Sequence, residues 1–266
     1  MPEVLGIDVS HHNGKIDWQA VAKANKKFAI MKAQYEAQSH RIDEAFEYNY
    51  REAGKYKLAR GVYIYIARHS VADPVADATA LMAKLNCRSL DYGIWLDLED
   101  KNIEYLGKDG IEKLVDTYTK IFKGNGYYVG IYCNLDWYRR LISDRLKREY
   151  DFWIARYPKN DNGIYNPNSS LKPKQMAVAW QYSSKGNVPG IQTRTDLNVD
   201  FDGVVKLMAD DTQNDFRKTN REIAEEVLAG KWGNAASKPT RKELLKAAGY
   251  NYNDIQKIVN QIVKGQ

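Results

Sequence analysis

Residues 94–100 read Ile94, Trp95, Leu96, Asp97, Leu98, Glu99, Asp100: an apolar run that closes on two carboxylates two residues apart. Successive side chains of a strand point to opposite faces. Asp97 and Glu99 therefore share a face with Trp95, while Ile94, Leu96 and Leu98 share the other. Two carboxylates held side by side repel when both are ionised, which raises the pKa of one of them. An acid that keeps its proton beside a carboxylate is the pairing that glycosidic-bond cleavage uses. A strand running out into a solvated acidic loop is the plainer reading of a bare Asp-x-Glu, which is common and non-specific. The segments on either side decide between the two.

Upstream, residues 4–10 (VLGIDVS) form another apolar run with one carboxylate, Asp8, near its end. A charge inside such a run is costly to bury without a role, although a helix cap or a salt-bridge partner would also account for it. A turn at Asn13-Gly14 and a helical pattern from about Asp17 lead into the strand-like FAIMKA at 28–33. The alternation continues. Strands are predicted at 4–9, 28–32, 61–66, 93–98, 128–133, 151–155, 177–182 and 196–201, with amphipathic helices at 42–53, 74–85 and 111–123 among the connections. About eight strands with helical crossovers predict an α/β fold, a parallel TIM-like barrel near the small end of its size range. Barrels of this kind carry their chemistry at the C-terminal ends of the strands, where Asp8, Lys32, Tyr65, Asp97, Glu99, Tyr132 and Tyr182 all fall.

At this point the residues carry a resemblance. GIDVSHHNGKIDW, FAIMKA, AGKYKLARGVYIY, IWLDLED, GIYCN, FWIARY, WQYSS and VPGIQTRTDLNVD occur in the order, and over nearly all of residues 3–205, seen in family 25 glycoside hydrolases, the muramidase type of lysozyme. The resemblance implies an irregular α/β barrel with fewer helices than strands and no cofactor. It also implies cleavage between N-acetylmuramic acid and N-acetylglucosamine in bacterial peptidoglycan, with catalytic roles on Asp8, Asp97, Glu99 and the aspartate of TDLN, Asp196. Within TDLNVDFDG the family pattern favours Asp196 with Asn198, leaving Asp200 as a solvated or structural carboxylate and Asp202 without a role. The chain departs from the family's Lys-Ala-Thr-Glu-Gly run at Lys32-Ala33-Gln34-Tyr35-Glu36, so the subsite lined by that loop is altered.

The chemistry needs an acid for the leaving oxygen and a group to meet positive charge at the anomeric carbon. Glu99 is the expected acid. Asp97 is expected to orient the sugar's 2-acetamido group in a substrate-assisted route. An inverting route, with Asp8 or Asp196 activating water, is the alternative. Stacking on sugar faces suits tyrosine, of which the chain has 19. Tyr65, Tyr132 and Tyr182 are expected in the cleft, Tyr63 and Trp180 in packing, and Lys32 either against acidic groups of the polymer or as a surface charge. His11 and His12 follow Asp8, yet no ligand spacing accompanies them and no metal site is expected. Cys87 and Cys133 have no motif spacing and are expected as free thiols.

After about Leu207 the pattern changes. The barrel is expected over residues 1–208, a polar linker over 209–218, and a three-helix unit over 219–266. Glycines at 230, 233 and 249 punctuate this unit, and Asn253-Asp254 is read as the cap of its last helix. The runs EVLAGKWGN and AGYNYNDIQKIVN resemble the short wall-binding repeat of phage lysins, here in one copy with AASKP lengthening the first loop. That resemblance implies binding to peptidoglycan through residues such as Trp232, Tyr250 and Tyr252; a small helical extension packed on the barrel is the other reading.

A net charge of +6 suits attraction to an anionic wall but lacks the dense basic stripe of a nucleic-acid binder. No apolar run is long enough to span a membrane, and no obligate protein partner is evident. The chain enters its first strand directly after MPE, so no signal peptide is read. Synthesis in a host cytoplasm and release through a membrane hole at lysis, as for a phage endolysin, is the expectation, with a secreted autolysin that has lost its leader as the alternative. A catalytically dead wall lectin and a chitinase-like hydrolase are the rival functions. The lectin gains nothing from crowded carboxylates, and the chitinase would carry a longer acidic run on its fourth strand.

Overall fold

The computed structural model describes residues 3–34, 41–201 and 217–265. Eight strands close into one barrel: β1 (Val4–Val9), β2 (Phe28–Gln34), β3 (Ala59–Tyr65), β4 (Ile94–Asp97), β5 (Val129–Asn134), β6 (Phe152–Ala155), β7 (Ala179–Gly186) and β8 (Thr195–Asp200). Neighbours from β1 to β7 are parallel, but β8 runs antiparallel to both β7 and β1. This reversal departs from the all-parallel reading. It follows from the short β7–β8 connection, since a parallel return needs a crossover of a dozen or more residues.

Helices α1 (Trp18–Lys23), α2 (Phe46–Lys55), α3 (Arg68–Ala72), α4 (Pro74–Leu85), α5 (Gly107–Gly124), α6 (Leu135–Arg140) and α7 (Asp144–Glu149) fill the earlier crossovers. The predicted helix at 42–53 starts later than expected. Ile42 instead bridges to Gln34, and the Asp43 carboxylate takes the Ala45 N–H at 3.0 Å, so helical pairing begins at Phe46. Cys87 is exposed, Cys133 is buried, and both are free thiols.

Strand parity divides the core into two layers. Ile7, Val62, Ile64, Ile94, Leu96, Ile131, Ile154 and Leu197 face outward and pack beneath the helices. Phe28, Ile30, Trp95, Tyr132, Trp153 and Ala179 face inward. At the floor of the barrel, Phe28 stacks on Tyr92 at 4.5 Å, and Trp95 meets Trp153 edge to face at 6.0 Å. Glycine makes this floor fit: a Cβ on Gly130 would lie 2.4 Å from the Trp95 ring, and one on Gly6 2.5 Å from Phe28.

Beyond the barrel, α8 (Asn220–Leu228), α9 (Arg241–Ala247) and α10 (Tyr252–Val263) enclose a small core of their own around Ile223, Trp232, Leu245 and Ile255. Thr219 with Glu222, and Thr240 with Glu243, form reciprocal capping boxes. The last helix is capped by Asn251, whose side chain accepts from Asn253 and Asp254, so the cap lies two residues before the expected one. Helix α9 packs on α4 and α5, and Asn125 donates to the Ala247 carbonyl at 3.0 Å. Most of the expected linker, and Asp202, fall outside the described residues.

Candidate active site

The inward faces of β1–β7 near their C-terminal ends, and of the reversed β8 at its N-terminal end, converge on a pocket of about 170 Å³, lined by the four predicted carboxylates Asp8, Asp97, Glu99 and Asp196 together with Tyr63, Tyr132, Trp153, Tyr157 and Gln181. Register sets the level of each. Asp97 pairs with Tyr65 on one side and Tyr132 on the other, while Asp8 pairs directly with Asp196 across the antiparallel β1–β8 ladder. Like charges directly opposite on one sheet face repel, so the reversed β8 brings Asp8 and Asp196 into conflict by construction.

Burial is the leading influence on all four carboxyls, and every one of them moves upward. Burial and the neighbouring Glu99 hold Asp97 well above the usual carboxylate range, with Lys32 opposing. Burial and Asp196 raise Glu99. Burial, then Asp8, pushes Asp196 up to about 8. Asp8 rises only to about 6, because hydrogen bonds from Asn198 and Gln181 favour its ionised form. The sequence reading credited the pairing of Asp97 and Glu99; desolvation contributes more at both.

Asp8 is the most elaborately held of the set. Its Oδ2 accepts from Gln181 Nε2 and from Asn198 Nδ2, each at 2.8 Å. The Gln181 amide is in turn oriented by the hydroxyls of Tyr132, at 2.8 Å, and Tyr157, while Trp153 donates its indole N–H to Asn198 at 2.9 Å. Asp97 is the opposite case. Its Oδ1 is buried and, among the described residues, has no hydrogen-bond partner.

Lys32 is buried inside the mouth, its ammonium 5.4 Å from the Tyr65 ring centroid and 5.9 Å from that of Tyr63, so the surface-charge reading does not apply. Burial lowers its pKa, against the opposing pull of Asp97, Asp43 and Glu99. Tyr132 lines the pocket as expected, and Tyr65 stands half-buried beside Lys32. Tyr182 does not reach the pocket. It shares outward parity with Trp180 and packs on Tyr165 at 5.0 Å. Tyr63, expected in packing, faces inward instead and lines the pocket.

Gln181 and Trp153 were not anticipated; the inward parity of Gln181 with Ala179 was the signal available for the first. Asp43 was missed as well. It is fully buried and accepts a 2.6 Å hydrogen bond from His11 Nδ1, so His11 joins a structural pair with a carboxylate. Among the described residues no group of three or more His, Cys, Asp or Glu is arranged to hold a metal. Asp200 is buried at the far end of β8, a structural rather than a solvated carboxylate. The altered loop after Gln34 falls at residues 35–40, outside the described residues.

In the tail, Trp232 and Tyr250 are buried first as packing residues. Trp232 donates to Glu226 at 3.0 Å and Tyr250 to the Lys218 carbonyl at 2.9 Å, while Tyr252 is half-buried beside them.

A closed barrel with acidic residues gathered at the strand ends defines a glycosidase-like class of site, and comparison with known proteins agrees. Residues 7–191 match Glycosyl hydrolases family 25, and residues 221–263 match the CW_7 repeat. The chain belongs to glycosyl hydrolase family 25: it is a lysozyme-type glycoside hydrolase acting on peptidoglycan. It is 30% identical over 210 residues to the uncharacterized protein YegX of Escherichia coli O157:H7, spanning 75% of this chain and 70% of that one. It is 26% identical over 217 residues to Lysozyme M1 of Streptomyces globisporus, spanning 77% and 70%. The structure of a family 25 glycosyl hydrolase from Bacillus anthracis shares the fold, with a TM-score of 0.63 at 22% identity over 77% of this chain and 92% of that one. Asp196 lies just beyond the family match, whereas Asp8, Asp97 and Glu99 lie within it.

Proposed function

We propose that the chain cleaves the bond between N-acetylmuramic acid and N-acetylglucosamine, with Glu99 protonating the leaving oxygen and Asp97 orienting the 2-acetamido group that attacks the anomeric carbon. The observation that carries this reading is the Asp97 Oδ1 in the pocket lining, a buried acceptor without a hydrogen-bond partner among the described residues that an acetamido N–H would satisfy. The same hydrogen bond explains how the acid is loaded. Asp97 and Glu99 together favour holding one proton. An N–H donated to Asp97 stabilises its ionised form, which leaves the proton on Glu99, next to the leaving oxygen.

The attacking acetamido carbonyl forms the new bond to the anomeric carbon as the glycosidic bond breaks and takes the proton from Glu99. Water then opens the cyclic intermediate and returns a proton to Glu99. Burial and the neighbouring Asp8 push Asp196 up to about 8, which makes it less suited than Asp8 to activating water in an inverting route. Asp8, steadied by its two amide partners, contributes negative potential towards the cationic transition state.

The lytic role belongs to the same proposal: an endolysin made in a host cytoplasm, reaching the wall through a lysis-time membrane opening and held there by its CW_7-type tail. Digestion of purified peptidoglycan followed by mass analysis of the new reducing ends tests the bond assignment. Muramic acid ends are expected; glucosamine ends would assign a different hydrolase.

A further inference from the structure

Away from the barrel mouth, a cleft of about 520 Å³ opens where α5 and α7 face the tail, within the size range of small-molecule sites. Three carboxylates line it, and each is already engaged. Asp116 and Glu149 bind Arg145 at 2.8 Å and 2.6 Å, and Glu226 is held by Lys218 and the Trp232 indole. Two lysines one helical turn apart on α5 are not so engaged. Lys120 and Lys123 are both half-buried and, among the described residues, neither has a carboxylate within ion-pair distance. Their ammonium groups stand over aromatic faces, Lys120 at 6.0 Å from the Trp232 ring and Lys123 at 4.6 Å from Tyr150. Burial lowers the pKa of both, against a weaker opposing pull from Asp116 and Glu226 on Lys120 and from Glu149 and Asp151 on Lys123. Lys231 adds a third positive charge at the exposed edge.

A recess that sets cations without a direct ion pair among the described residues against aromatic walls is complementary to a ligand with a carboxylate and an apolar or sugar face. We propose that this seam is a second wall-binding site, taking the stem-peptide carboxylate of a muropeptide between Lys120 and Lys123, and that barrel and tail build it jointly. The proposal rests on the reading that the tail engages the wall. It moves the charged half of that engagement onto the barrel: α5 supplies the two cations, and the tail supplies Trp232 and closes the recess over them. Gly124, at the end of α5, sets the spacing of the seam, since a Cβ there would lie 2.6 Å from the Ala248 carbonyl oxygen.

The test uses the full chain carrying Glu99→Gln, so that ligand is bound and not cut. Calorimetric titration with a muramyl dipeptide bearing free carboxylates should resolve seam binding. Lys120→Met with Lys123→Met should weaken that binding at least about tenfold, equivalent to about 1.4 kcal/mol. Lys120→Arg with Lys123→Arg should retain it, and the same ligand with amidated carboxylates should bind the parent as weakly as the free acid binds the Met variant.

Equal affinity in parent and Met variant overturns the proposal. So does equal loss in the Met and Arg variants, which would mark a structural effect. So does tighter binding of inorganic phosphate or a glycerol-phosphate polymer than of the carboxylate ligand. The Lys variants with Glu99 intact are also assayed on short soluble glycan. Normal muramic acid release there with unchanged seam binding sinks the seam alone, whereas failure of the parent to release muramic acid sinks the proposed function.

Discussion

The floor and the mouth of this barrel are built by the same strands, one inward step apart, and they meet opposite physical demands. On β4 the step runs from Trp95 to Asp97, on β1 from Gly6 to Asp8, and on β5 from Gly130 to Tyr132. At the floor, aromatic rings fill the space that glycine leaves, and the Trp95 indole N–H finds the Tyr92 carbonyl at 2.8 Å. At the mouth, two carboxyls are buried and two half-buried, and among the described residues Asp97 Oδ1 has no hydrogen-bond partner, as the Tyr92 hydroxyl at the floor has none. The floor holds the barrel shut through packing, so the mouth can carry groups that burial disfavours. If this division holds, floor substitutions should alter stability without altering the chemistry, and mouth substitutions the reverse.

The largest expected effect is at the mouth. Glu99→Gln keeps the shape and removes the acid, so turnover on wall should fall by at least about two orders of magnitude while glycan binding survives. Steady-state kinetics with a parallel binding assay decides this, and near-normal turnover would take the acid role away from Glu99.

Next is the floor. Gly130→Ala forces a methyl into the Trp95 ring and should destabilise by about 1–3 kcal/mol in denaturant titration, as overpacking does. Below its unfolding midpoint the folded fraction should turn over substrate at the parental rate. A large fall in kcat would show that floor and mouth are not separable.

A subtler effect tests the strain at the mouth. The Asp196 pKa is raised from 3.8 to about 8, so the folded state binds the extra proton. The resulting stabilisation is complete below about pH 4 and is lost as the pH rises through about 8. Asp196→Asn should therefore flatten this part of the stability profile. At pH 8 it should leave the protein more stable than the parent by at least about 1.4 kcal/mol, the equivalent of one pKa unit, with little gain at pH 4. Parallel melting curves across pH measure it, and an unchanged pH slope would show that Asp196 is not strained.

The smallest concerns Asp8. Gln181→Leu deletes one of the two amide donors that hold its carboxyl near 6, so the acidic limb of the pH–activity curve should move to higher pH by about one unit. A limb that stays in place would mean that Asn198 alone sets the Asp8 charge.

Much of this was legible without coordinates, and particular residues explain where legibility ended. Asp8, Asp97 and Glu99 each close a short apolar run, Asp196 stands in the TDLN motif, both local signals, and all four line one pocket. Tyr182 also lies towards the end of such a run, but parity turns it outward with Trp180, so nearness to a strand end was an incomplete criterion. Asp43 and His11 are 32 residues apart and join only because β2 and the chain after it fold back over β1.

The sequence by itself determined the alternation of strands and helices, the family, and the carboxylates at the strand ends, because each depends on periodicity or motif within a few neighbouring residues. Tertiary structure alone decided that β8 runs backwards and sets Asp196 against Asp8, that Gln181 and Asn198 converge on one oxygen of Asp8, and that Lys120 and Lys123 meet Trp232 and Tyr150 across a seam. Those features depend on the direction of closure and on burial shared between distant segments. Desolvation, the main influence on the four carboxyls of the pocket, is a property of the closed barrel and of no stretch of its chain.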